Sequence, residues 1–426
     1  MQKFSAHAGK AVASFLLSTL PVLAEENDSS VEDKPGFFHQ DTDYSHDILN
    51  WQEGVTGKPL NILSYGKDGT PDAPGLVLSG AFWGNYLYEK SNTINRFPIL
   101  SRFPSERNNN TDSAERWLIS NAAIAATLRP VSWITGYTQY EFTEVEFPGQ
   151  EDWQYRKVLV LIGDIERFPF YGYFGRNTVD FGWLDGYNPF THTVNNHSFR
   201  VDSDDPVIAL GYAQENLHVV GTLIHSGRQL RVADTEDLDG WGNGAINLSY
   251  TLGDRDKNDR ELRLGGGYLH STIYNNDTPH HPGPSHDLSK QMSPDLNRNP
   301  AYDLFAEYIH GPLRFGIEYT ATAENWPATG EPVESTNLQA AYDFELLGRP
   351  SRFSVVFGTN EQGPAGSQFE KLTQLAVGFE RKVTDFFTLS AEWVHNEAFV
   401  PLINIRSVSD SSVTANALII GGKIQF

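Results

Sequence analysis

The feature that most constrains this chain is an alternation of apolar and polar side chains with a period of two residues. Side chains point alternately to the two faces of a β-strand, so this period predicts strands. Each run covers about ten residues, the length that a tilted strand needs to cross a bilayer. The clearest runs lie at 246–252, 313–320, 337–346, 374–380, 387–393 and 417–426.

The polar faces of these runs carry charges in mid-strand, among them Arg314, Glu318 and Glu392. A soluble β-sandwich is the alternative, but its strands are usually about five or six residues long and its inner faces share one dry core. A closed barrel offers lipid to the apolar face and water to the charged face, and it pairs all backbone groups. We therefore predict an all-β protein, a transmembrane antiparallel β-barrel.

The lengths of the connections support this prediction, because outer-membrane barrels have short periplasmic turns and long external loops. Starting from a first strand near 76–88, longer and shorter connections alternate along the chain. Their number predicts about sixteen strands, with both termini in the periplasm. Long connections include 89–115, 183–204 and 273–300, and tight ones include 129–130, 214–216 and 311–312.

The sequence ends on LIIGGKIQF, an alternating stretch with an aromatic last residue. A barrel closes by pairing its last strand with its first, so a last strand that is complete to its final residue is expected. The terminal Phe426 also resembles the signal that outer-membrane assembly machinery reads. We expect that machinery to be a partner, together with outer-membrane lipid and lipopolysaccharide.

Residues 1–24 have the pattern of a secretory signal peptide, with Lys3 and Lys10 before a short apolar stretch and Val22-Leu23-Ala24 at the cleavage site. Export to the bacterial outer membrane is therefore expected. The domains would be an N-terminal periplasmic segment at 25–73 and the barrel at 74–426. The segment is too short and polar for the plug of an energised transporter, whose barrels have about 22 strands. Its part 46–68 fits either a short helix or a pairing strand.

Composition excludes several classes of protein. The 426 residues contain no cysteine, so neither disulfides nor thiolate metal sites are available. Outside the N-terminus there is no apolar run of eighteen residues, which excludes a helical membrane protein. The formal net charge is −22, or about −24 once Lys3 and Lys10 are removed, and this argues against nucleic acid as a partner. No cofactor is expected.

The most distinctive motif is FYGYFGRN at 170–177, followed by VDFG at 179–182 and NPFT at 188–191. It resembles the LbtU-type siderophore porin family, whose members carry Gly-Arg/Lys-Gln-x-Val-Pro-Phe-Gly and then Pro-Leu-Thr. Asn177, Asp180 and Phe190 depart from that pattern. The resemblance implies a sixteen-stranded barrel that takes up a ferric siderophore without an energised plug.

The same motif has a physical interpretation. Its glycines let the backbone bend, and the loop 183–204 is long enough to fold into the barrel mouth as a constriction. Arg176 would point into the pore and bind carboxylate or phosphate, or else it satisfies carbonyl groups at a barrel corner. Arg263 and Arg314 on the polar faces and Asn188 in the motif complete the predicted substrate-binding set. The acidic excess would repel an anionic ferric complex unless the basic residues are grouped.

Two loop clusters are weaker signals. Three imidazoles at 280–286 fit either a metal site or a solvated loop, and the acidic stretch 234–240 has the wrong spacing for calcium. No metal site is predicted from them.

Other functions stay open at this point. A general or anion-selective diffusion porin is the main alternative to a siderophore channel. An outer-membrane hydrolase is a remote one, with His270, Ser271 and His310 as the nearest candidates. Sixteen strands are more than such enzymes use, so the chain is not expected to be an enzyme.

Overall fold

The computed structural model describes residues 37–65, 73–97, 110–144, 153–203, 206–225, 241–275, 298–327, 329–363, 371–399 and 410–426. The predicted signal peptide 1–24, the acidic stretch 234–240 and the histidine cluster 280–286 lie outside these ranges. None of the helices in these ranges is long and apolar enough to span a bilayer.

The strands follow the alternating runs of the sequence. They are β1 Phe38–His39, β2 Gly75–Ser91, β3 Ser113–Val131, β4 Ile134–Phe142, β5 Trp153–Ile162, β6 Phe170–Arg176, β7 Val207–Gln214, β8 Leu217–Ile224, β9 Asn243–Asp254, β10 Arg260–Leu269, β11 Ala301–His310, β12 Leu313–Thr322, β13 Glu334–Leu346, β14 Arg349–Glu361, β15 Lys371–Lys382, β16 Phe387–Phe399 and β17 Asp410–Gln425. The helices are α1 Thr42–Ile48, α2 Lys58–Tyr65, α3 Val194–Phe199 and α4 Arg255–Asn258.

Strands β2 to β17 form one closed antiparallel barrel. Each pairs with the next along the chain, and β17 returns to pair with β2. Short connections, such as 215–216 and 311–312, lie at one end, and the longer connections lie at the other. The prediction of a sixteen-stranded antiparallel barrel with alternating connections is confirmed.

The last strand has the two faces that its pattern predicts. Leu418 and Ile420 are more than two-fifths exposed on the outer, lipid-facing side, whereas Lys423 and Gln425 are buried on the inner side. At the seam, the Phe426 amide donates to the Gly80 carbonyl at 3.0 Å, and the Gly80 amide donates to the Phe426 carbonyl at 2.8 Å. The last residue of the chain therefore takes part in closing the barrel.

Residues 41–65, here called the lumenal segment, lie inside the barrel. The Tyr44 hydroxyl is 2.6 Å from that of Thr127 on β3. On a wall about half-way round the ring, Glu53 pairs with Arg314 of β12 and Arg352 of β14. A segment that contacts both walls must cross the lumen. The sequence left helix and strand open here; the structure has two short helices, α1 and α2.

Gly175, at the end of β6, adopts a backbone conformation that only glycine tolerates well. Its φ is +135°, and a Cβ at this position would overlap the carbonyl oxygen of Val158 on the paired strand. We expect Gly175→Ala to lower the free energy of unfolding by about 1–3 kcal/mol. Urea unfolding in detergent micelles measures this. Gly221→Ala on β8 is the control, since a Cβ there meets nothing within 4 Å, and equal losses in both variants would contradict the prediction.

Candidate functional site

The connection between β6 and β7 runs from 177 to 206, and its part 177–203, here called the inserted loop, enters the lumen. The backbone amides of Trp183 and Leu184 donate to the Glu318 carboxylate of β12 at 2.9 Å and 2.7 Å. Further along, the amides of Phe190 and Thr191 donate to Glu392 of β16, at 2.8 Å and 3.1 Å. The loop is therefore held on the far wall at two separate carboxylates.

Three further hydrogen bonds attach the inserted loop to the wall. The Tyr187 amide donates to the side chain of Gln339 on β13 at 3.0 Å, and its hydroxyl donates to Glu307 on β11 at 2.8 Å. Asn195 of α3 donates to Thr320 of β12 at 2.9 Å. The predicted constriction loop thus reaches across the lumen, and hydrogen bonds fix it to the wall at several points along its length.

These contacts correct one inference from the sequence. Mid-strand charges on the polar faces were expected to need water, yet Glu318 and Glu392 are 0% and 1% exposed. Their carboxylates accept hydrogen bonds from loop amides instead of from solvent. Burial of a carboxyl group is tolerated here because hydrogen-bond donors replace part of the lost hydration.

The root of the inserted loop is fixed as well. The Lys157 ammonium of β5 donates to the side chains of Thr178 at 2.8 Å and Asn177 at 3.1 Å. The hydroxyl of Tyr173 donates to Asp180 at 2.6 Å. Four of these residues lie within 170–182, so the motif's departures Asn177 and Asp180 have structural roles here.

The inserted loop and the lumenal segment are bound to each other. The Gly57 amide donates to Asp180 at 2.6 Å, and the Val55 amide donates to Asp185 at 2.9 Å. In the other direction, the Gly186 amide donates to the carbonyl of Gln52 at 2.8 Å. Loop and segment therefore form one body inside the barrel, attached to both walls.

Burial shifts the titration of the groups at this contact. Burial raises the pKa of Asp185 from 3.8 to about 7, and it also raises the pKa of Asp180. It lowers the pKa of Lys58 from 10.5 to about 8; the Lys58 ammonium donates to the Ile48 carbonyl at 2.9 Å. The docked arrangement thus disfavours the charged form of each of these three groups.

This sets an expected pH dependence for docking of the lumenal segment. The pKa of Asp185 is raised in the docked arrangement, so Asp185 stabilises docking when its carboxyl group is protonated. This stabilisation is fully present below about pH 3.8 and is lost as the pH rises through about 7. We expect open events in single-channel recordings to become more frequent from pH 4 to pH 7. In Asp185→Asn the frequency of open events should depend less steeply on pH, and the dependence that remains should come from Asp180. A wild-type record that does not change over this range would contradict the prediction.

Four charged side chains join the lumenal segment to the wall. Asp343 accepts from Arg314 at 2.9 Å and from Arg352 at 2.7 Å. Glu53 lies 3.4 Å from Arg314 and also bonds Arg352. Each guanidinium is therefore shared between a carboxylate of the wall and one of the segment, so the network depends on the segment being docked.

A cavity of about 1260 Å³ extends from the inserted loop to the short-turn end of the barrel. Its lining includes the turn at Glu215, part of the lumenal segment and the inner faces of β9 to β14. Eleven carboxylates and five Arg or Lys side chains line the cavity, so acidic side chains outnumber basic ones in its lining. The carboxylates are Asp43, Asp47, Glu53, Asp180, Asp185, Glu215, Glu261, Glu307, Asp343, Glu345 and Glu380; the bases are Arg263, Arg314, Arg352, Lys382 and Lys423.

Of the four predicted substrate-binding residues, two line the cavity and two do not. Arg263 and Arg314 line the cavity. Arg176 ends β6 and Asn188 is buried in the inserted loop, where it accepts from Ser354 at 3.2 Å, and neither lines this cavity. The substrate-binding role of all four stays a prediction.

The candidate residues for a hydrolase do not meet. Leu269 pairs with Ala301 at one end of β10 and β11, while Arg260 pairs with His310 at the other end. His270, which follows Leu269, is therefore about 30 Å from His310 at the rise of a strand. Ser271 is buried, and its amide and carbonyl bond Asn243. These three residues form no catalytic arrangement.

Comparisons with known proteins identify the fold. No protein-family profile matches the sequence, and no curated protein does. OmpF of Salmonella typhi, solved with daunomycin, has a TM-score of 0.56 at 13% identity, covering 83% of this chain and 98% of that one. An anion-selective porin of Comamonas acidovorans scores 0.53 at 10% identity over 83% and 99%. The channel DcaP of Acinetobacter baumannii scores 0.52 at 13% identity over 84% and 98%. The chain has the fold of these outer-membrane barrels.

Proposed function

We propose that this protein is a bacterial outer-membrane channel that passes a small polar solute through a narrowed lumen. The observation that carries the proposal is that the inserted loop and the lumenal segment cross the lumen. The loop is attached to Glu318 and Glu392 of the wall, and the segment is attached through Glu53 to Arg314 of the wall. A sixteen-stranded barrel is too wide for its own side chains to fill. A loop and a segment inside it therefore restrict which solutes pass.

For the cargo we propose a ferric siderophore, on the strength of the motif at 170–191. The cavity of about 1260 Å³ exceeds the roughly 300–1,000 Å³ of ordinary small-molecule sites, which suits a bulky chelate. Its acidic lining favours a chelate that is neutral or carries ammonium groups over a strongly anionic one.

The second candidate is a diffusion porin, general or anion-selective. Its support is the fold, which this chain shares with an anion-selective porin from Comamonas acidovorans. The excess of carboxylates along the cavity weighs against anion selectivity, and the inserted loop weighs against unselective diffusion. We therefore place it second.

Single-channel conductance of the refolded protein tests the proposal. A small conductance that micromolar ferric siderophore blocks from the long-loop side, and that phosphate and sugars leave unchanged, is the expected result. A large ohmic conductance that chelates do not alter would contradict siderophore uptake and leave a diffusion porin. A barrel that inserts but never conducts would contradict the channel itself.

Three partners are proposed for a protein at this location. We propose that the exposed apolar outer face, including Leu418 and Ile420, contacts outer-membrane lipid, and that the long-loop end contacts lipopolysaccharide. Recognition by the assembly machinery through Phe426 remains part of the proposal.

A further inference from the structure

Arg263 has fewer close carboxylate partners than the other two arginines that line the cavity. Arg314 and Arg352 each bond two carboxylates, Asp343 and Glu53. The guanidinium of Arg263 has Glu307 at 3.9 Å as its ion pair, beyond hydrogen-bond distance. Its Nε is buried and has no hydrogen-bond partner within the described ranges. Arg263 thus keeps donor capacity that the other two arginines have used.

The guanidinium of Arg263 is held in orientation by two aromatic rings. Its Cζ lies 5.2 Å from the centroid of Phe305 and 6.0 Å from that of Trp183. Both rings are buried, and Trp183 is itself fixed because its amide donates to Glu318. A cation against aromatic faces is stabilised and loses rotational freedom. The donor group is therefore arranged in advance at the edge of the cavity.

Two carboxylates flank this guanidinium. Glu307 is the cross-strand partner of Arg263 in the pairing of β10 with β11, and its Oε1 is fixed by the Tyr187 hydroxyl at 2.8 Å. Glu261 precedes Arg263 by two residues and so lies on the same face of β10. All three side chains line the cavity. A cationic donor and two anionic acceptors thus lie side by side.

We propose that Arg263, Glu261 and Glu307 form a subsite for dipolar solutes, molecules that carry both a carboxylate and an ammonium group. The planar guanidinium accommodates the carboxylate in two parallel hydrogen bonds, and the two glutamates accept from the ammonium. A purely anionic solute meets two carboxylates here, and a purely cationic one meets the guanidinium, so each is repelled at one end. This inference rests on the proposed channel function and specifies the chemistry of its solute.

Three probes with one carbon skeleton test it: 4-aminobutyrate, butyrate and butylammonium. The full-length protein is inserted in planar bilayers, and the block of ion current is titrated with each probe. Wild type should bind 4-aminobutyrate most tightly. Arg263→Gln should weaken that binding roughly tenfold, as expected for loss of a bidentate charged contact, and Glu307→Gln should weaken it less. Arg349→Gln is the matched control, because Arg349 pairs with Asp385 at the turn and does not line the cavity.

The outcomes separate the subsite from the channel. Equal block by all three probes, or an unchanged 4-aminobutyrate titration in Arg263→Gln, would overturn the subsite while the channel stands. Absence of any conductance in wild type would overturn the channel first. If Arg263→Gln does not insert, Arg263→Lys decides: it keeps the charge but loses the planar fork, so it should still weaken binding severalfold, and wild-type binding in it would overturn the proposal.

Discussion

Deleting residues 41–65 should raise the single-channel conductance severalfold. This segment contacts the wall at Thr127 and, about half-way round the barrel, at Arg314 and Arg352, so it occupies the width of the lumen. The first barrel strand begins later, at Gly75, and its pairing with β3 and β17 does not involve the deleted residues. The barrel should therefore close without them. Conductance of the two proteins in planar bilayers at the same salt concentration measures the difference.

A point variant tests the same contact without removing mass. Glu53→Gln deletes the charge that Arg314 and Arg352 share with the segment, and it leaves two part-buried guanidiniums with Asp343 alone. We expect frequent transitions to a higher-conductance level, intermediate between wild type and the deletion. Glu215→Gln removes a carboxylate from the same cavity at the turn and should behave as wild type. A deletion variant that conducts like wild type would show that the segment does not limit flow.

Replacing Glu318 by leucine should release the inserted loop from the wall. The amides of Trp183 and Leu184 would lose their acceptor in a buried place, and each unsatisfied group costs about 1–3 kcal/mol. The loop should detach rather than carry this cost, so protease cleavage between 177 and 203 should become fast and the channel noisier. Limited proteolysis of the protein in micelles, followed by mass spectrometry, locates the cuts.

Two further substitutions control for side-chain size and for charge. Glu318→Gln retains an acceptor oxygen at the same position, so its cleavage rate should lie close to wild type. Glu361→Leu removes a half-exposed carboxylate paired with Lys371 and should leave the loop resistant. A leucine variant at 318 that stays resistant would mean that Glu392 and Gln339 hold the loop by themselves.

The barrel was predictable because its pattern is local. Lipid on one side and lumen on the other impose the two-residue period, and that period can be seen in single stretches such as 417–426. The alternation of connection lengths then fixed the number of strands. These signals do not depend on which distant residues meet, so one sequence is enough to reveal them.

The interior of the lumen was less predictable, because its contacts join residues far apart in sequence. Glu53 sits in a polar stretch with no periodicity, and nothing near it indicates that Arg314 and Arg352 are its partners. Glu318 was recognised as facing the lumen, but its burial depends on the inserted loop 135 residues away. Arg263 and Arg314 were found because a polar face is visible in the pattern; their ligand is not.

The long separations in sequence also determine the order in which the molecule can assemble. The acceptors for loop amides lie 135 residues later in the chain at Glu318 and 202 residues later at Glu392, and Arg352 comes 299 residues after Glu53. Contacts between residues this far apart in sequence form late, after strands that are neighbours in sequence have paired. The seam that joins Gly80 to Phe426 spans a longer stretch of the chain than any of these contacts. The barrel should therefore close only after the interior contacts can form, so the lumen should not be open to solutes before the loop and the segment restrict it.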